Sequence, residues 1–116
     1  MKLLLVVNPT ASSVTPRSRE QVEQALTRGH DVTVVETTAR GDAVDLARRA
    51  VDDGTDVVVV FGGDGTVNEA ANGLVGTSTA LAALPGGSTN VFARTLGLPN
   101  RPVPAVERLV AALGAG

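Results

Sequence analysis

The sequence predicts an α/β domain in which a mainly parallel sheet lies between two layers of helices. Three observations carry that prediction. Segments of strand character alternate with segments of helical periodicity along the chain, and such alternation implies parallel strands joined by right-handed crossovers. Val57-Val58-Val59-Val60-Phe61 is an unbroken apolar run rich in β-branched residues, which suits a strand buried on both faces. Every strand end is polar, small or glycine-rich, and a parallel sheet places its ligands beyond those carboxyl ends.

The elements follow in order. Lys2 to Val7 is the first strand, closed by Asn8-Pro9. Thr15 is a good helix cap with Pro16 at the first helical position, and Val22, Ala25 and Leu26 form an apolar stripe before Gly29 ends the helix. Asp31 to Glu36 is the second strand. A second helix opens near Gly41-Asp42, carries Ala43, Leu46, Ala47, Ala50 and Val51 on one face, and closes at Asp53-Gly54. The third strand is the valine run, followed by a helix from about Val67 with Gly73 near its end. Thr79 to Leu84 reads as a fourth strand, Val91 to Leu96 as a short helical turn, and Pro104 as the start of a last helix. His30, the only histidine, falls in a helix-to-strand turn and is expected to be exposed, which leaves no Ser-His or zinc-type site.

Composition bounds the function. A chain of 116 residues makes one domain, long enough to bury roughly 65% of its unfolded surface. Hydrophobic content of 43% fits a globular protein. A net charge of −2 and only two aromatics, Phe61 and Phe92, argue against a nucleic-acid surface. An anionic ligand must then be held by backbone dipoles and a few arginines. The absence of cysteine removes disulfides and thiolate metal sites, and fits a reducing compartment. The apolar run Leu3 to Val7 is too short for a signal or membrane segment.

The stretch Val57 to Glu69 gathers the chemistry. A buried strand turns on Gly62-Gly63-Asp64-Gly65-Thr66 and passes into a helix. Glycines let the backbone approach an anion, and free N–H groups of a first helical turn point at it. Three glycines and an aspartate in four residues exceed what a plain strand-to-helix turn needs. The P-loop is excluded because its lysine is missing: the only lysine is Lys2. The dinucleotide fingerprint is excluded because its third glycine position holds Asn68, and because this corner follows the third strand.

Three motifs in order, Asn8-Pro9 after the first strand, GGDGTVNE from Gly62 to Glu69, and PGGSTNVFAR from Pro85 to Arg94, resemble the diacylglycerol kinase catalytic domain family. Bacterial lipid kinases, sphingosine kinases and, more distantly, NAD kinases share the GGDG core. The resemblance covers essentially the whole chain. It implies the N-terminal three-layer α/β nucleotide-binding domain of that family over residues 1–116, and transfer of the ATP γ-phosphate to a lipid hydroxyl such as that of diacylglycerol. In the family a β-rich domain follows and holds the lipid, so this chain alone is expected to bind nucleotide without phosphorylating lipid. A transferase of phospholipid metabolism, located in the cytoplasm with peripheral contact at the inner membrane surface, is the implied setting. The alternatives are a kinase for a soluble acceptor, as in NAD kinases, and a non-catalytic nucleotide-binding regulatory domain.

Carried over by position, Asn8, Pro9, Thr10 and Ser12 flank the nucleotide, and Thr37 matches a threonine near the ATP. Gly62, Gly63, Asp64, Gly65, Thr66, Asn68 and Glu69 match the phosphate and Mg²⁺ segment, and Gly87, Ser88 and Asn90 a PxGTxN pattern. The chain departs from the family in two places: Ala11-Ser12 stand where Ser-Gly is frequent, and Val91 replaces an acidic residue. The residues read independently agree, since phosphoryl transfer needs positioning and charge neutralisation more than covalent chemistry. Asp64 is placed to bind Mg²⁺, directly or through water, or to accept the substrate proton. Glu69, at the start of a helix, serves equally well as a dipole complement. Asn68 and Asn90 suit phosphate contacts or turns, and Arg40 and Arg94 phosphate contacts or a solvated surface.

Overall fold

The structure, a computed structural model, describes residues 1–12, 14–85 and 102–115. The short helical turn expected over Val91 to Leu96, together with Gly87, Ser88, Asn90 and Arg94, lies outside the described residues. The element order is β1 (Lys2–Val7), α1 (Pro16–Thr27), β2 (Asp31–Glu36), α2 (Asp42–Asp52), β3 (Val57–Gly62), α3 (Asp64–Leu74), β4 (Ala80–Pro85) and α4 (Pro102–Ala115). All strand pairs are parallel, in the order β2-β1-β3-β4. Leu5 sits between Val34 and Val59, and Val59 between Leu5 and Ala82.

Alternate side chains of each strand feed opposite cores, as the pleat requires. Leu3, Leu5, Val7, Val57, Val59, Phe61 and Leu84 face one way and pack with Val22, Leu26, Val106 and Leu109 of α1 and α4. Leu4, Val6, Val58, Val60 and Ala83 face the other way and pack with Ala43, Ala47, Val67, Ala70 and Leu74 of α2 and α3. The sheet is therefore a middle layer, and the valine run is buried along its whole length. At about 1.5–3 kcal/mol for each fully buried Val, Leu or Phe, against about 1 kcal/mol for a helix cap, packing of β1 and β3 dominates the positioning of their ends.

Local signals act where expected. Thr15 caps α1 through a reciprocal pair: its Oγ1 accepts the Ser18 N–H at 3.0 Å, and Ser18 Oγ accepts the Thr15 N–H at 2.9 Å. Several boundaries shift, and β4 runs Ala80–Pro85 and not Thr79 to Leu84. The last helix begins at Pro102 and not at Pro104. More consequentially, α3 begins at Asp64 and not near Val67, with Gly63 as its cap. Gly65 and Thr66 thus belong to the first helical turn. His30 is half-buried, not exposed, with its Nδ1 at 3.4 Å from the amino terminus.

On the α2–α3 side the helices approach at Gly73. A Cβ built there would lie 2.7 Å from Ala47 Cβ and 2.7 Å from the Val44 carbonyl oxygen. Only hydrogen fits that seam, which sets the spacing of the two helix starts at the rim above it.

Candidate nucleotide site

The chain runs from β1 outward to β2 and returns across β1 to β3. The sheet's topological switch point is therefore between the ends of β1 and β3, where a crevice opens for ligands. Asn8 bridges that crevice. Its backbone N–H donates to Phe61 O at 2.9 Å, continuing the ladder one residue past the end of β1. Its side chain accepts from Thr10 N–H at 3.1 Å and Thr10 Oγ1 at 2.8 Å, and its Nδ2 donates to Thr66 Oγ1 at 3.3 Å. The first loop is thereby fastened to the first turn of α3.

The three glycines of the corner differ in what the fold asks of them. At Gly62 a Cβ would meet Asn8 Cβ at 3.0 Å and Thr66 Oγ1 at 3.4 Å, so that glycine serves the β1–β3 closure itself. At Gly63 and Gly65 a Cβ would meet nothing within 4 Å, and neither has a positive φ. The folded chain has room for a side chain at both places. Their bareness opens the helix start to an outside group, where N–H groups and the positive dipole end favour an anion. Asp64, half-buried, is the first residue of the helix between them.

Beside the corner lies a cleft of about 220 Å³ lined by Asn8, Thr10, Thr37, Thr38, Ala39, Arg40, Thr66 and Glu69. Of the residues expected from sequence, Asn8, Thr10, Thr37, Thr66 and Glu69 line this cleft together. Ser12 and Asn68 are exposed and outside its lining, and Pro9 faces a different hollow. That hollow is larger, about 510 Å³, but carries Glu20, Glu23 and Glu36. Its one arginine, Arg19, is already paired with Glu36 and Glu23, which hold its guanidinium pKa above the ordinary value. Three carboxylates and an engaged arginine do not suit an anion, so the smaller cleft is the better candidate for one.

Glu69 is placed differently from its sequence reading. It stands in the second turn of α3, not at its start, and its Oε1 accepts the Gly41 N–H at 2.9 Å. It serves the start of α2 and not its own helix.

The loop from Thr37 to Gly41 forms the cleft's far wall, and a residue missed in the sequence holds it. Asp42 Oδ2 accepts from Thr38 N–H at 2.6 Å, Thr38 Oγ1 at 2.7 Å and Ala39 N–H at 2.9 Å. The signal was local: an aspartate at a helix start, four residues after a threonine. The Thr38 N–H, then the Thr38 hydroxyl and the Ala39 N–H, hold the Asp42 carboxyl below its ordinary pKa of 3.8. A depressed folded pKa stabilises the fold above the unfolded value, and that contribution is lost as pH falls through the folded one. The melting-temperature difference between the parent chain and Asp42→Ala is thus expected to be full near neutrality and to shrink below pH 3.8. A difference unchanged down to about pH 2 would show that the carboxylate does not hold the loop.

Among the described residues no three His, Cys, Asp or Glu side chains gather as a metal cage. Mg²⁺ needs none, since it is commonly held by one or two carboxylates with substrate phosphates and water. No helix among the described residues is long and apolar enough to cross a membrane.

Comparison with known proteins places this arrangement. The profile described as diacylglycerol kinase catalytic domain matches residues 2–113. The chain belongs to the diacylglycerol kinase catalytic domain family. A protein of Chromohalobacter salexigens named "Probable lipid kinase YegS-like" is 42% identical over 107 residues, covering 89% of this chain and 34% of the relative. The diacylglycerol kinase of Bacillus subtilis is 35% identical over 103 residues, covering 85% and 34%. Among solved structures, a diacylglycerol kinase from Bacillus anthracis str. Sterne superposes with a TM-score of 0.88 at 34% identity, covering 96% of this chain and 42% of that one. The chain spans about a third of the length of the curated diacylglycerol kinase family relatives that it matches.

Proposed function

We propose that this diacylglycerol kinase catalytic domain binds ATP along the carboxyl rim of its sheet, with the phosphates against Gly63-Asp64-Gly65-Thr66. The carrying observation is the pair Gly63 and Gly65, which stay bare although the fold leaves room for side chains. The cleft walled by Thr37 to Arg40 receives the remainder of the nucleotide, and Asn8 holds the two halves of the rim together. The reaction is γ-phosphoryl transfer to a lipid hydroxyl, with the acceptor bound by a β-rich domain of the kind the family carries.

The residues fit a magnesium–nucleotide pair. Mg²⁺, when bound, neutralises charge developing on the phosphates. Asp64 stands at the start of α3, just beyond the end of β3, where its carboxylate would hold the ion with phosphate oxygens or take the proton of the attacking hydroxyl. The N–H groups of the first turn of α3 orient the phosphates, and Thr66 is itself oriented by Asn8.

Gly65→Val tests the placement. The substitution adds a side chain into open space at an exposed helical position, and valine is no worse than glycine for a helix. The unliganded chain should melt within a degree or two of the parent. Mg·ATP at a hundredfold excess over its Kd stabilises a binding chain by about 2.7 kcal/mol, a shift of several degrees that the variant is expected to lose. Full stabilisation of folded Gly65→Val by Mg·ATP would remove the phosphates from this corner.

A further inference from the structure

The cleft's far wall is reached by chemistry that the nucleotide reading does not use. Gly41 is the cap residue of α2, has φ +90°, and receives no side-chain cap from its own helix. Its N–H is one of the donors that a helix start leaves without an internal partner. The acceptor comes from another helix, 28 residues along the chain: Glu69 Oε1, at 2.9 Å. The same side chain lines the cleft beside Arg40. A carboxylate repels phosphates through space and cannot hold them itself, so its place in this cleft calls for another partner. Here it is engaged, and what it engages is the wall itself.

We propose that Glu69 is a positioning residue for nucleotide binding: by accepting the Gly41 N–H, its carboxylate ties the loop from Thr37 to Gly41 to helix α3 and so fixes the width of the cleft. The proposal rests on the nucleotide reading above and adds a role to it. Two carboxylates act on this loop in different senses. Asp42 gives it its internal shape, through Thr38 and Ala39. Glu69 sets where that shaped loop stands relative to the glycine corner, because Glu69 and the corner share one helix. The close seam at Gly73 supports this tie, since it holds the two helices at a spacing the glutamate can bridge. An acceptor of the right length is what the position requires, and the charge is secondary.

That last distinction makes the test. Four chains are compared: parent, Glu69→Ala, Glu69→Gln and Glu69→Asp. Two quantities are measured: amide hydrogen exchange at Gly41 without nucleotide, and the Kd for ATP with and without Mg²⁺. Alanine removes the acceptor, so Gly41 exchange is expected to rise about tenfold or more and ATP binding to weaken by about the same factor. Glutamine keeps an oxygen of equal reach and is expected to stay within about threefold of the parent in both. Aspartate keeps the charge but is shorter by one methylene, and is expected to behave as alanine does. The ratio of affinities with and without Mg²⁺ should be unchanged throughout. Unaltered Gly41 exchange in Glu69→Ala would overturn the proposal. So would glutamine weakening ATP binding as much as alanine does, because the charge itself would then be meeting the ligand. If the parent chain bound no ATP, the proposed function would fall, and the exchange series would still decide whether Glu69 holds the loop.

Discussion

Replacing Asp64 with asparagine is expected to slow phosphoryl transfer at least ~100-fold while leaving the fold almost untouched. The two effects differ because they draw on different properties of the side chain. In the fold, Asp64 is the first residue of α3, where a negative charge interacts with the helix dipole by about 0.3–1 kcal/mol. Asparagine keeps the volume and much of the preference for a helix start, so the stability loss should stay below about 1 kcal/mol. In the reaction, a ~100-fold loss is about 2.7 kcal/mol of transition-state stabilisation, which a neutral amide cannot supply either to a metal ion or to a proton. The comparison is made on the longest natural form of the protein, with Mg·ATP and lipid alcohols in micelles, beside thermal unfolding of both chains. Near-parent turnover in Asp64→Asn would reduce Asp64 to a turn residue.

Gly73→Val is expected to destabilise the domain by about 1–3 kcal/mol, the usual range for overpacking. The sign is the informative part. In an ordinary exposed helix, replacing glycine by a residue with a side chain helps by a few tenths of a kcal/mol or more. Here the added Cβ would meet the Val44 carbonyl oxygen at 2.7 Å, a backbone atom that moves only if α2 moves. Denaturant unfolding of parent and variant reads the difference. Equal or greater stability in Gly73→Val would show that the α2–α3 seam opens without strain.

Strands were legible because their signals are local and redundant. The valine run, bounded by Asp56 and the glycine corner, marks β3 to within a residue. The Thr15-Pro16 start and the glycine after α1 mark that helix equally well. The start of α3 was misplaced because Gly-Asp-Gly-Thr contains poor helix formers. At a helix start those residues lose little, and an aspartate there gains from the dipole. The ends of β1, β2 and β3 were legible together from their polar residues in a parallel sheet, while the stretch after Pro85 lies outside the described residues. The internal ties of the rim were not legible. Glu69 reaches Gly41 across two helices that approach closely at Gly73, and no spacing in the chain announces such a contact. The clamp at Asp42 could have been found, since threonine and aspartate four apart at a helix start carry a local signal.

The bridge from Asn8 to Thr66 spans 58 positions of the chain, and this has a consequence for the order of events during folding. The helical turns are local and can form early, and the β1–β2 and β3–β4 pairs close shorter loops than the β1–β3 pair does. The nucleotide rim cannot form early, because its two halves meet only when β3 has inserted beside β1, which closes a long loop at an entropic cost. Insertion of β3 beside β1 also joins both cores across the sheet, since its residues feed each in turn. The rim between Asn8 and Thr66 thus forms no earlier than the pairing of β1 with β3. A nucleotide at the rim would then act as a clasp on that step, slowing the departure of β3 and lengthening the lifetime of the native state without changing how fast the chain first collapses.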